Sequence, residues 1–174
     1  MEYLGTTQSY PAAGLRLATL RAKGYAKQLT MSSNAQTEPI SEAQREQLRE
    51  LATAAAAHSY SPYSNFRVGA ALLLETGEIV TGCNVENCSY RLTSCAEQAA
   101  IARAVSELGP KIRLRAVAVA NLNAAASMPC GACRQTLSEF GSDDILILYP
   151  GENGPEETTL GQLLPHAFRA EFIQ

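Results

Sequence analysis

Three thiols and one carboxylate in this chain stand at spacings that suit metal chemistry. Cys95 and Glu97 lie in Ser94-Cys95-Ala96-Glu97-Gln98, and Cys130 and Cys133 lie in Pro129-Cys130-Gly131-Ala132-Cys133-Arg134-Gln135. Catalytic zinc uses three protein ligands and keeps its remaining position for water, whereas structural zinc closes the tetrahedron with a fourth protein ligand. Cys95, Cys130 and Cys133 supply three thiolates for one Zn2+ per subunit, with water as the fourth ligand. Zinc lowers the pKa of its water to about 7, so hydroxide is available at neutral pH. Glu97, two residues from a ligand, is placed to move that water's proton. Both motifs read as helix starts, where free N–H groups and the helix dipole favour a thiolate.

Other readings of the same residues stay open. Cys83 or Cys88 as a fourth ligand would make a closed, non-catalytic structural zinc module, which has no exchangeable water. Cys130-Gly131-Ala132-Cys133 alone also suits a thiol oxidoreductase, though that leaves Cys95 and Glu97 unexplained. His58, at the end of a predicted helix, reads as an ordinary helix-end residue. Cys83 and Cys88 read as small buried thiols.

A chain of 174 residues suits one main domain with a sizeable core. Its 46% hydrophobic and 18% charged residues are those of a globular protein. A net charge of -3 and the absence of Trp argue against a nucleic-acid channel, which is basic and rich in aromatics. No apolar run approaches the length of a membrane helix. Five cysteines cannot all pair, and Cys-x-x-Cys points to metal ligation in a reducing compartment, so a cytoplasmic location is expected.

The elements that must position the motifs follow in order. Residues 1–37 read as a mildly basic, flexible N-terminal extension, either a transit peptide or a stretch upstream of a working start at Met31; residues 38–174 read as the domain. Ser41-x-x-Gln44 is a capping box for a helix over 42–58. Residues 66–74 and 79–85 form a hairpin across the turn Glu75-Thr76-Gly77-Glu78, with Gly69 and its neighbouring alanines allowing close approach. A helix begins at Cys95 and stops at Gly109-Pro110. Residues 115–120 make a strand buried on both faces, 130–140 a helix, and 145–149 a second buried strand. Gly151–Pro155 reads as a turn, and Thr159 caps a short helix through Leu164. Strands separated by helices imply parallel crossovers on a mixed sheet with helices on both faces.

Cys95-Ala96-Glu97 together with Pro129-Cys130-x-x-Cys133 resembles the cytidine deaminase family in its small three-cysteine form. Asn84-Val85-Glu86-Asn87 and Pro62-Tyr63-Ser64-Asn65-Phe66 extend the resemblance to roughly residues 41–170. It implies an α/β fold, a three-layer α/β/α sandwich on a mixed five-stranded sheet. The implied reaction is hydrolytic deamination of cytidine and 2′-deoxycytidine to uridine and 2′-deoxyuridine, a step of pyrimidine salvage. In it, hydroxide on zinc attacks C4, and Glu97 carries protons to N3 and to the departing ammonia. A related alternative is deamination of another aminopyrimidine nucleoside such as blasticidin S. By resemblance, Asn84 and Glu86 grip the ribose hydroxyls, Phe66 walls the base and Ala96 offers backbone groups to the pyrimidine. Tyr90 and Phe168 are implied to reach a neighbouring subunit's site, in a homotetramer with shared active sites.

One position departs from the family pattern. Many three-cysteine relatives carry Arg after Cys-Ala-Glu, offsetting the negative charge of three thiolates on zinc; this chain has Gln98. Gln98 and Gln135 are then expected to donate amide hydrogen bonds to sulfur, and Arg134 is the nearest cation in sequence.

Overall fold

The computed structural model describes residues 39–169. Expectations for residues 1–37 lie outside the described residues. Ser41 caps helix α1 (Glu42–Ala56): Gln44 N–H donates to Ser41 Oγ at 3.3 Å and Ser41 N–H donates to Gln44 Oε1 at 3.0 Å. The expected capping box is present. The helix ends two residues before the expected Ala57-His58, because His58 and Ser59 N–H groups turn back to Ala55 and Ala56, a tightening common at helix ends.

Strands β1 (Val68–Leu74) and β2 (Ile79–Cys83) form the expected antiparallel hairpin. Helix α2 (Ala96–Leu108), strand β3 (Leu114–Asn121), helix α3 (Gly131–Phe140) and strand β4 (Leu146–Gly151) follow, then strand β5 (Gly154–Thr159) and helix α4 (Leu160–Leu163). The sheet order is β2-β1-β3-β4-β5. Among the strands of the described residues, only β3 and β4, joined through α3, pair in parallel. The mixed five-stranded sheet implied by resemblance is therefore present.

The fifth strand is the element that the chain's own pattern did not give. Gly154-Pro155-Glu156-Glu157-Thr158-Thr159 is mostly exposed and pairs only with β4. An edge strand needs no buried face and tolerates proline, so neither alternation nor apolar content marks it.

Two cores sit on opposite faces of the sheet. On one, Ala71, Leu73, Ala116, Ala118 and Leu148 pack with Leu48 and Ala52 of α1. On the other, Leu72, Val117, Val119 and Ile147 pack with Ala100, Ile101 and Ala104 of α2 and Leu137 of α3. Successive residues of β1 and β3 thus alternate between faces that are both buried, which is why these strands read as continuous apolar runs. Burying one such Leu or Val contributes about 1.5–3 kcal/mol.

Two glycines let helices sit unusually close to the sheet. A Cβ on Gly69 would lie 2.0 Å from Ala52 O and 2.4 Å from Ala56 N of α1. A Cβ on Gly82 would lie 2.7 Å from Ala96 O and 2.4 Å from Ala100 N of α2. Backbone cannot yield at such distances, so each glycine is a seat for a helix. Gly82 seats the first turn of α2, the turn that carries Glu97.

Candidate functional site

Cys95 and Cys130 are the N-cap residues of α2 and α3, and neither side chain caps its own helix. Both sulfurs therefore stand at helix starts with no intrahelical bond to satisfy. Cys133, one turn further along α3, is buried. The three Sγ atoms all lie within 4.8 Å of one another, with Cys95 and Cys130 at 4.0 Å. Tetrahedral zinc with Zn–S bonds of about 2.3 Å holds its sulfurs about 3.8 Å apart. The residues fit that ion with little movement.

The protonation chemistry of the trio points the same way. Hydrogen bonding from Cys133 leads in bringing the Cys95 thiol down to about 7, against its burial. Cys133 is pushed up, first by the hydrogen bond it gives Cys95 and then by burial. One sulfur ionises readily and the next resists. A divalent cation among them removes that conflict, since bound thiols are deprotonated outright.

Glu97 stands in the first turn of α2 and is only 4% exposed. Burial raises its carboxyl above the usual range, while its own backbone N–H and the Cys133 thiol pull it down. The carboxylate is thus beside the sulfurs, in surroundings that suit both taking and giving a proton. Ala96, between Cys95 and Glu97, is fully buried, with its carbonyl toward Gly82. Its N–H is one of the orphan donors of the helix start.

Cys83 and Cys88 are not members of the sulfur cluster, and His58 is exposed and outside it. Among the described residues no fourth cysteine closes the site. The two glutamines also depart from expectation. Gln135 Nε2 donates to Phe168 O at 2.7 Å and Ser138 Oγ at 3.3 Å, tying α3 to the segment after α4. Gln98 is half-buried, and among the described residues its amide reaches no sulfur. Arg134 spends its guanidinium on the backbone, donating to Pro129 O at 2.7 Å and Leu163 O at 2.9 Å. It braces the turn entering Cys130.

A second group of candidates lies in the loops around β1 and β2. Asn84 is buried; its Oδ1 accepts from Ser59 Oγ at 2.6 Å and Val68 N–H at 2.8 Å, and its Nδ2 donates to Phe66 O at 2.8 Å. Glu86 Oε2 accepts the N–H groups of Tyr63 at 2.9 Å and Ser64 at 3.2 Å, and Oε1 accepts from Ser64 Oγ. The Ser64 hydroxyl is the main cause holding the Glu86 carboxyl below its ordinary value. Phe66 is half-buried between these groups. Tyr90, 74% exposed, makes an edge contact with Tyr63 at 6.2 Å, and Phe168 is 62% exposed. Nothing in the sequence marks Ser59, Gly82 or the part played by the Ser64 hydroxyl. Small residues in a loop or strand carry no signal until their partners are known.

Known proteins resemble this chain over its described part. A family model for the cytidine and deoxycytidylate deaminase zinc-binding region matches residues 42–149. The cytidine deaminase of Mycobacterium tuberculosis strain H37Rv is 50% identical over 121 residues, 70% of this chain and 86% of that protein. That of Sporosarcina psychrophila is 46% identical over 114 residues, 65% of this chain and 82% of that one. The crystal structure of cytidine deaminase from Mycobacterium tuberculosis aligns with a TM-score of 0.63 at 48% identity, covering 72% of this chain and 97% of that chain. The Burkholderia pseudomallei cytidine deaminase structure aligns at 0.64 and 41% identity, covering 71% and 98%.

Proposed function

The chain belongs to the cytidine and deoxycytidylate deaminase zinc-binding family, and we propose on that footing that it hydrolyses cytidine and 2′-deoxycytidine to uridine and 2′-deoxyuridine, releasing ammonia. The observation that carries this reading is the trio of sulfurs within 4.8 Å of one another, with the buried Glu97 carboxylate beside Cys133. Zinc is the cofactor; held by Cys95, Cys130 and Cys133, it supplies an acidified water at neutral pH.

Glu97 is the proton carrier. Its carboxylate oxygen takes a proton from the attacking water and gives it to N3 as oxygen adds to C4. It then takes the second proton from the hydroxyl now on C4 and gives it to the amine, so that ammonia leaves and the C4 carbonyl forms. The raised pKa suits a group that must accept and then donate near neutrality. The Ala96 N–H is a donor for the ring, and Phe66 is the wall against the base.

Asn84 and Glu86 hold the sugar. Among the described residues, Asn84 has both lone-pair positions of Oδ1 and one N–H engaged, leaving one N–H. Glu86 has three of about four acceptor positions engaged, leaving one. One donor plus one acceptor suits a single hydroxyl, which accepts and donates at once. A grip on one hydroxyl common to both sugars accepts cytidine and deoxycytidine alike.

The exposed Tyr60, Tyr63, Tyr90, Leu92 and Phe168 support a homotetramer in which neighbouring subunits cover these faces and share sites. No helix among the described residues is long and apolar enough to cross a membrane, which is compatible with a cytoplasmic enzyme.

The test is loss of cytidine absorbance with the zinc-loaded full chain beside Glu97→Ala. Wild type is expected to turn over, and the variant to keep its zinc while losing at least about 10²–10⁴-fold in rate. Equal rates in the two proteins overturn the role of Glu97.

A further inference from the structure

Ser64 stands between the groups assigned to the base and to the sugar. Its Oγ accepts the Phe66 N–H at 2.9 Å and donates to Glu86 Oε1. A serine hydroxyl has one proton to give; with an N–H already pointing at the oxygen, that proton goes to the carboxylate. On the other side, the Phe66 carbonyl accepts from Asn84 Nδ2 at 2.8 Å. Both polar groups of the Phe66 backbone therefore end on the sugar pair, one directly and one through Ser64. The intervening Asn65 takes a left-handed conformation, φ 55°, and is pinned by its N–H to Ser61 O at 3.0 Å and its carbonyl to Asn123 Nδ2 at 3.0 Å.

We propose that Ser64 is a positioning residue of the nucleoside site, its hydroxyl fixing the Glu86 carboxylate against the Phe66 backbone so that sugar grip and base wall keep one separation. The inference rests on the nucleoside reading above. Without the hydroxyl, Glu86 keeps two backbone donors on Oε2 and loses the one on Oε1, so the carboxylate is free to turn. Phe66 N–H loses its acceptor at the same time. Both effects fall on parts of the substrate that do not react, so they change KM more than kcat.

The experiment is a double-mutant cycle on the zinc-loaded full chain, with Ser64→Ala and Glu86→Gln separately and together, assayed on cytidine. Ser64→Ala is expected to raise KM about tenfold, the worth of one hydrogen bond to a charged group. In the Glu86→Gln background the same substitution is expected to change KM less than about twofold, because coupled residues are not additive. Ser64→Thr, which keeps the hydroxyl, restores the wild-type KM, and 2′,3′-dideoxycytidine as substrate shrinks the Ser64→Ala effect. Zinc content and melting temperature of each variant separate these changes from misfolding; should Ser64→Ala not fold, Ser64→Gly carries the same comparison. An unchanged KM, equal KM effects in both backgrounds, or a fall in kcat with KM steady overturns the role of Ser64 alone. Absence of cytidine turnover by wild type overturns the nucleoside reading and this one with it.

Discussion

Cys95, Cys130 and Glu97 stand on the first turns of two helices that pack on one face of the sheet, whereas Phe66, Asn84 and Glu86 stand in loops held by side-chain-to-backbone hydrogen bonds. The two glutamates register the difference. Burial raises Glu97, and hydrogen bonds lower Glu86 on the surface. Element packing sets the groups proposed to react, and local polar contacts set the groups proposed to hold the substrate. A substitution in the first region should therefore change metal binding or kcat, and one in the second KM.

The largest expected effect comes from removing a sulfur. Cys133→Ala takes the buried member of the trio and leaves zinc with two thiolates, one short of the set that holds it beside its water. Zinc measured by atomic absorption should fall to near zero, and turnover by at least about 10³-fold, since water without the metal reverts from a pKa of about 7 toward 15.7. Retention of both zinc and turnover would break the division between the two regions.

Next come the two helix seats, which lie on adjacent strands but face different helices. Gly69→Ala and Gly82→Ala each force a methyl into helix backbone, and overpacking of this kind costs about 1–3 kcal/mol. Both should lower the melting temperature. Only Gly82→Ala displaces the turn carrying Ala96 and Glu97, and a misplacement of about 1 Å can cost up to about 10²-fold in rate. The expected result is a drop in kcat per bound zinc for Gly82→Ala and none for Gly69→Ala, read by steady-state kinetics beside thermal melts. A matching drop in both would mean that the seat of α2 has no special hold on the chemistry.

The same contrast explains what was legible in the sequence. Cys95, Cys130 and Cys133 are readable because metal ligation demands particular residue types at particular spacings, and Glu97 because it stands two residues from a ligand. The helices are readable from apolar residues at helical spacing, and the buried strands from continuous apolar runs. The capping box at Ser41 and the cap at Thr159 are readable as local chemistry. β5 was not, because an exposed edge strand has no apolar face to announce it. Gln135 was expected to face sulfur and instead holds the Phe168 carbonyl, since a residue's partner across 33 positions is set by tertiary packing. The contacts of the Ser64 hydroxyl and the seat at Gly82 were silent for the same reason: a hydroxyl or a missing Cβ gains meaning only from what the fold brings against it.

The smallest effect concerns pH and the surface glutamate. The folded protein holds the Glu86 carboxyl below its ordinary 4.5, chiefly through the Ser64 hydroxyl. A lowered carboxyl contributes stability that is fully present above the unfolded value and is lost only as pH falls through the folded one. The melting-temperature difference between wild type and Glu86→Gln should therefore stay constant from neutral pH down to the ordinary value and close only below it. The difference is the quantity to read, because protonation of the thiolates at acid pH affects both proteins alike. In a Ser64→Ala background the closing point should move up toward 4.5, since the leading cause of the shift is gone. A gap that already closes above that value in wild type would show that the loop contacts do not hold Glu86 ionised, and the contrast between a glutamate raised by burial and one lowered by its hydrogen bonds would fail.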